Sequence, residues 1–332
     1  MDKFDWQASE SAPINYPMQI VSGSFFYHDG SGSLYVPDKA TLDHGWGTGR
    51  SSHIVGPDLK PLPSRLGIVF FSYTENQFYL GKFDLPYDKI LKLFQEGYYS
   101  YTQEKHITYR KIVVGIAPGG AVAVWLVGIN KTTEVFFGQA EKADTDWGAL
   151  TGATHISREE YVRLAIQESL TGPEGFRIED PQKQQEALEV LRKKGIPFGL
   201  WNTYRTRYAW QPLFTNMPLR GGRTNMIKYF NGEEDFLPYP LDKTAAASTR
   251  AVPKQLDFVW MPPGAAKGRS IKLYFNEAEI LDAFKKLGAN NQPLQLEMRI
   301  DVIDGKKDFT IWLRNDKDKI ELKRTEIKNY GT

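Results

Sequence analysis

The chain has 332 residues, and the usual allowance of about 150 residues per domain gives two domains. A composition of 41% hydrophobic and 25% charged residues is that of a folded chain and excludes a disordered or fibrous one. Lys+Arg 42 against Asp+Glu 40 leaves +2, too balanced for a dedicated nucleic-acid or membrane-surface binder, and the cysteine count of zero removes disulfides, thiol nucleophiles and thiolate metal sites.

No uninterrupted apolar run reaches the roughly 18 residues that cross a bilayer. The opening stretch, MDKFDWQASESAPINYP, has neither a basic n-region nor an apolar h-region. Two expectations follow: a cytoplasmic chain, or a mature chain whose export signal has been removed and whose Met1 was added.

In chain order, HDGSGS at His28 reads as a turn. His44 and His53 flank the glycine-rich stretch HGWGTGRSSH, and no acidic cluster nearby completes a zinc pattern. PLPSRLGIVFF from Pro61 is a strand, and YDKILKLFQEG from Tyr87 is a short helix whose Ile90, Leu91 and Phe94 share one face. KIVVGIAPGGAVAVWLVG is two apolar strands around Pro118, Gly119 and Gly120. SREEYVRLAIQESL has the capping-box pair Ser157 and Glu160, and DPQKQQEALEVLRKKG starts at Asp180 with Pro181 in the first helical position. Both stretches are helices expected to bridge two lobes.

A repeat appears at a spacing of 190. Pro63, Leu66 and Val69 fall on Pro253, Leu256 and Val259, and Ile90, Leu91 and Phe94 fall on Ile280, Leu281 and Phe284. The VAVWLV run around Trp125 matches TIWL around Trp312, now offset by 187, and the second hairpin turns at Asp304 and Gly305. The order strand, strand, helix, hairpin therefore occurs twice. The expected fold class is α+β, with two similar antiparallel-sheet-plus-helix lobes: residues 1–150, a helical connector over 151–200, and residues 201–332 related to the first by the repeat.

Catalytic signatures are missing. GIAPGG lacks the Lys and Ser/Thr of a phosphate loop, GWGTGR lacks a strand-to-helix setting, and no G-x-S-x-G elbow occurs, so Ser24 and Ser33 read as turn residues. No catalytic residue, metal set or cofactor is expected. Glu233, Glu234 and Asp235 follow Asn231-Gly232 and read as a solvated acidic loop, with electrostatic contact to a basic partner or paired-carboxylate acid/base work as the sharper alternatives. GLWNTYRTRYAWQP places Trp201, Tyr204 and Tyr208 at i, i+3 and i+7 with Arg205 and Arg207 between them, a mixture typical of binding hot spots. The bland alternative is that these rings are core and the arginines pair with acids.

PINYPMQIVSGSFFYHDG, the HGWG region, PLPSRLGIVFFSYTENQFY, LPYDKILKLFQEG, VVGIAPGGAVAVWLVG and GIPFGLWNTYRTRYAWQP together resemble an uncharacterised family of Gram-negative envelope proteins and lipoproteins, catalogued as a domain of unknown function. Its members are often encoded near type VI secretion effectors, including phospholipases. The resemblance implies a non-catalytic immunity protein that neutralises a cognate effector, a lipase, in the periplasm, with membrane anchoring through a removed lipoprotein signal. Trp46, Arg50, Glu233, Glu234 and Asp235 are the expected partner contacts. The alternative is an envelope-associated module for a glycan or lipid headgroup, with Trp201, Tyr204, Arg205, Arg207 and Tyr208 lining a ligand cleft. No nucleic acid is expected as a partner.

Overall fold

The computed structural model describes residues 2–51, 55–152, 155–172, 175–217, 219, 225–237, 248–262, 264–265, 267–289, 292–303 and 306–331. His53, Asp304 and Gly305 lie outside the described residues. Contacts gather into two units, Met1–Tyr99 with His106–Asn202, and Ser100–Lys105 with Thr203–Thr332.

The chain of the first unit runs through β1 (Lys3–Asp5), β2 (Gln7–Ser11), β3 (Met18–Tyr27), β4 (Ser33–Tyr35), β5 (Thr41–Leu42), β6 (Leu59–Pro61), β7 (Pro63–Ser72), β8 (Gln77–Asp84) and α1 (Tyr87–Glu96). Next come β9 (Tyr98–Ser100), β10 (Lys105–Ile107), β11 (Lys111–Ala117), β12 (Ala121–Gly128), β13 (Lys131–Gln139) and β14 (Glu141–Ala143). One sheet has the order β14-β8-β7-β3-β4 and is antiparallel throughout. In the other, β2 runs parallel to β11, and β12 and β13 continue it antiparallel.

Side-chain periodicity explains which faces are buried. In β7, Leu66, Ile68 and Phe70 alternate inward, the period-two pattern of a strand with one face on the core. In β11 and β12 the buried run is nearly continuous, as in strands covered on both sides. Ile90 and Phe94 of α1 enter the same core as Trp6, Phe25, Phe70 and Ile112. No side chain caps the N-terminus of α1, which follows Pro86, and Gly97 ends the helix at φ +56. A Cβ there would lie 2.3 Å from the Ile107 carbonyl oxygen, so the turn requires glycine.

After β14 come α2 (Trp147–Thr151), α3 (Arg158–Ser169), α4 (Pro181–Lys194) and α5 (Leu200–Thr203). Ser157 accepts from the Glu160 amide at 3.2 Å, and Asp180 accepts from the amides of Gln182 and Lys183 at 2.8 and 3.2 Å. The helices of the stretch expected to connect two lobes pack within the first unit. Tyr161, Val162, Ala165 and Ile166 of α3 cover Phe71, Tyr73 and Phe78 with Trp147.

The second unit contains β15 (Arg207–Thr215), β16 (Met226–Tyr229), β17 (Glu234–Phe236), β18 (Ser248–Ala251), β19 (Pro253–Trp260) and β20 (Arg269–Tyr274). They are followed by α6 (Glu277–Leu287), β21 (Leu294–Ile303), β22 (Lys306–Arg314), β23 (Lys319–Glu321) and β24 (Glu326–Gly331). Its connectivity matches that of the first. β24-β20-β19-β16-β17 corresponds to β14-β8-β7-β3-β4, and β15 runs parallel to β21 as β2 does to β11. The helix seat is also alike: Phe94 meets Phe4 at 5.2 Å and 53°, and Phe284 meets Tyr208 at 5.4 Å and 53°. The fold is α+β, built as two similar antiparallel-sheet-plus-helix units.

Candidate functional site

The glycine-rich loop after β5 is tied down onto β2. Ser11 Oγ donates to the Gly45 carbonyl at 2.9 Å and accepts from the Gly47 amide at 3.0 Å, while the Arg50 amide donates to the Glu10 carbonyl at 2.9 Å. Asp43, its side chain 1% exposed, forms an ion pair with Arg177 at 2.7 Å and meets His44 Nδ1 at 3.2 Å. Burial pushes the His44 imidazole below its ordinary value; Asp43 pulls it upward, and Arg50 and Arg177 oppose that pull.

Of the two partner contacts expected in this loop, Arg50 is exposed and donates to the Thr41 carbonyl at 3.0 Å. Trp46 is half-buried, with its ring edge-on to Trp125 at 4.9 Å and tilted against Trp201 at 6.3 Å. Trp201, in α5, is buried and also meets Tyr16 at 5.9 Å. These rings form an aromatic cluster inside the first unit.

The aromatic and arginine segment does not present one face. Trp201 ends on Tyr16 and Trp46, Tyr204 stacks on Phe230 at 5.3 Å, and Tyr208 packs on Phe284. The spacing i, i+3, i+7 describes one face only on a continuous helix, whereas α5 stops at Thr203 and a strand begins at Arg207. Arg205 is half-buried. Arg207 pairs with Glu233 at 2.5 Å.

The acidic run corrects its reading as a solvated loop. Glu234 and Asp235 lie in β17, with Lys228 opposite Glu234 in the antiparallel register and 3.5 Å away across the pair. All three acidic residues are only partly exposed. Burial raises the Glu234 carboxyl above the ordinary carboxylate range against the opposing pull of Lys228. Asp235 accepts from the Phe236 amide at 2.9 Å.

A cavity of about 470 Å³ opens against α3 and α4, a size and lining that suit a small ligand. Val162, Ile166, Leu188, Leu191 and Ile196 give it aliphatic walls, and Tyr16 links it to the aromatic cluster. Glu159, Arg163 and Arg192 stand among its lining residues, as does Thr74, whose buried Oγ1 has no hydrogen-bond partner. Sequence reasoning missed this site. Its signal, the apolar pairs Val162/Ile166 and Leu188/Leu191 at helical spacing, says that each helix has an apolar stripe but not that a cavity lies between the stripes.

Among the described residues, no three His, Asp or Glu side chains gather as a metal-ligand set, and no helix is long and apolar enough to cross a membrane. No curated protein and no solved structure matches the chain. A family model described as "Protein of unknown function (DUF2931)" matches residues 1–199, a stretch that, apart from Ser100–Lys105, lies in the first unit and includes both the glycine-rich loop and the cavity. More than half of the chain is covered, and the chain belongs to the DUF2931 family.

Proposed function

We propose that the chain is a non-catalytic immunity protein that binds and neutralises a cognate type VI secretion effector, a phospholipase, in the periplasm. It would do so by covering the effector's active site or blocking the movement of a lid. The observation that supports a binding role is apolar: Phe176, Val190 and Phe198, around α4, are 75%, 65% and 63% exposed. A partner that covers them would remove this apolar surface from water. Exposed Arg50 adds a charged contact of the kind that steers association. Copurification with the lipase encoded beside it, and loss of lipase activity in an equimolar mixture, is the expected result. Absence of a complex at micromolar concentration with any neighbouring gene product would sink the proposal.

A second reading, an envelope-associated module for a small ligand, is favoured by the cavity beside α3 and α4. Its test is a ligand-induced rise in melting temperature that is lost when a cavity wall is substituted. Trp201 is unsuitable for that test because it is core.

A further inference from the structure

The cavity of the first unit has an aliphatic interior and charged residues among its lining, and the state of those charges narrows what it would hold. Arg163 is already neutralised: its Nε and one terminal nitrogen donate to the Glu160 carboxylate at 2.9 and 2.6 Å, and the other terminal nitrogen donates to Gln167 at 2.8 Å. Glu159 and Arg192 are different. Both line the cavity, both are exposed, and neither side chain makes a hydrogen bond or ion pair with any described residue. Each stands where its helix favours its sign, Glu159 in the first turn of α3 and Arg192 in the last turn of α4. Each charge is therefore favoured by its own helix while its side chain has no partner among the described residues.

We propose that this cavity binds a zwitterionic amphiphile, an apolar body carrying one cationic and one anionic group. The inference deepens the small-ligand reading and rests on it. The apolar body would lie against Val162, Ile166, Leu188, Leu191 and Ile196, removing aliphatic surface from water. The cation of the ligand faces Glu159 and its anion faces Arg192. A ligand of a single sign would satisfy one of these groups and be repelled by the other, whereas a neutral one would leave both to solvent.

The test titrates the full chain with single-chain probes below their micellar concentrations. Dodecylphosphocholine and a dodecyl sulfobetaine are the zwitterions, with dodecyl maltoside, dodecyl sulfate and dodecyltrimethylammonium as the neutral, anionic and cationic comparisons. Both zwitterions are expected to bind one per chain and about tenfold tighter than the maltoside. Arg192→Gln and Glu159→Gln each should weaken zwitterion binding by about three- to tenfold while leaving the maltoside unchanged. Leu191→Trp, which fills the cavity, should abolish binding of every probe, and the two exposed charge variants keep the test decisive where Leu191→Trp fails to fold. Equal affinity for the zwitterions and the maltoside overturns the proposal but leaves the small-ligand reading standing. No binding by any probe, or binding that persists in a folded Leu191→Trp variant, overturns both.

Discussion

Trp210 donates its indole N–H to the carbonyl of Ala251 at 3.0 Å, and this bond has a counterpart in the first unit, where Trp6 donates to Pro61 at 3.1 Å. Both rings are fully buried. Each also carries a cation over its face, Arg250 at 5.7 Å and Lys60 at 5.9 Å, and each meets a tyrosine, Tyr229 at 6.5 Å and Tyr27 at 6.4 Å. One bond ties Trp6, between β1 and β2, to the last residue of β6, and the other ties Trp210 in β15 to the last residue of β18. Trp6→Phe and Trp210→Phe keep most of the ring volume but leave a buried carbonyl without its donor, at a cost of about 1–2 kcal/mol each. Urea unfolding of the two single variants and the double variant measures this. Near-equal costs that add in the double variant are expected, and a neutral outcome at either site removes the argument for that unit.

The same tryptophans show how much of the fold was legible. Trp6 and Trp210 stand 204 positions apart, Tyr27 and Tyr229 stand 202 apart, and Pro61 and Ala251 stand 190 apart. Loops of different length intervene, so a gapless spacing catches only the block from Pro61 to Phe94, where β7, β8 and α1 follow one another on short turns. Past α1 the chain inserts β9 and β10, and the register of β11 with β2 and of β21 with β15 puts Lys111 opposite Gln7 and Gln295 opposite Gln211. The offset there is 184, which the run around Trp125 and Trp312 did not disclose. The candidate site was less legible still. Tyr204 and Tyr208 diverge because a turn and a strand replace the helix that their spacing implies, and Glu234-Asp235-Phe236 forms a strand through pairing with β16, although its acidic residues carry no strand propensity.

Glu234 gives the second unit a predictable pH response. Its carboxyl is held above the ordinary carboxylate range, chiefly by burial, so the native state binds this proton more tightly than the unfolded chain does. The protonated form therefore contributes stability that is present below the unfolded value of about 4.3 and is lost as pH rises through the raised native value. Glu234→Gln should remove this loss. Urea midpoints between about pH 4 and pH 7 are expected to show the variant gaining on the parent as pH rises. A difference that stays constant across this range would show that the ion pair with Lys228 cancels the effect of burial.

Gly115 tests the aromatic cluster from below. It lies in β11 opposite Ala123, and a Cβ at this position would come within 2.4 and 2.6 Å of Trp125 and 3.0 Å of Trp46. Its backbone is not in the left-handed region, so the penalty of Gly115→Ala is steric overlap alone, about 1–3 kcal/mol. Trp125→Phe shortens the ring that would be struck. The alanine should therefore cost less in the Trp125→Phe background than in the parent, and thermal melts of the four proteins in the cycle measure that coupling. Strict additivity would mean that the strand shifts and the rings stay in place.

Arg177 is the counter-ion of a buried carboxylate, Asp43. The Asp43 carboxylate is 1% exposed and Arg177 is its 2.7 Å counter-ion, so Arg177→Ala leaves a charge with little access to water. Because Arg177 is itself 47% exposed, the pair is partly screened and the expected cost is about 1–3 kcal/mol, less than for a fully buried pair. Adding Asp43→Asn removes the stranded charge and should recover part of the loss. His44 provides an independent readout. It touches Asp43 at 3.2 Å, and Arg177 is one of the charges that hold its imidazole down, so in Arg177→Ala the imidazole should titrate at higher pH. Arg50→Ala, at an exposed position, should alter stability by less than about 0.5 kcal/mol while moving His44 in the same direction. NMR titration of the imidazole in the three proteins decides the matter: an unshifted His44 in Arg177→Ala would mean that Asp43 has found another cation, and that the loop after β5 does not depend on this ion pair for its charge balance.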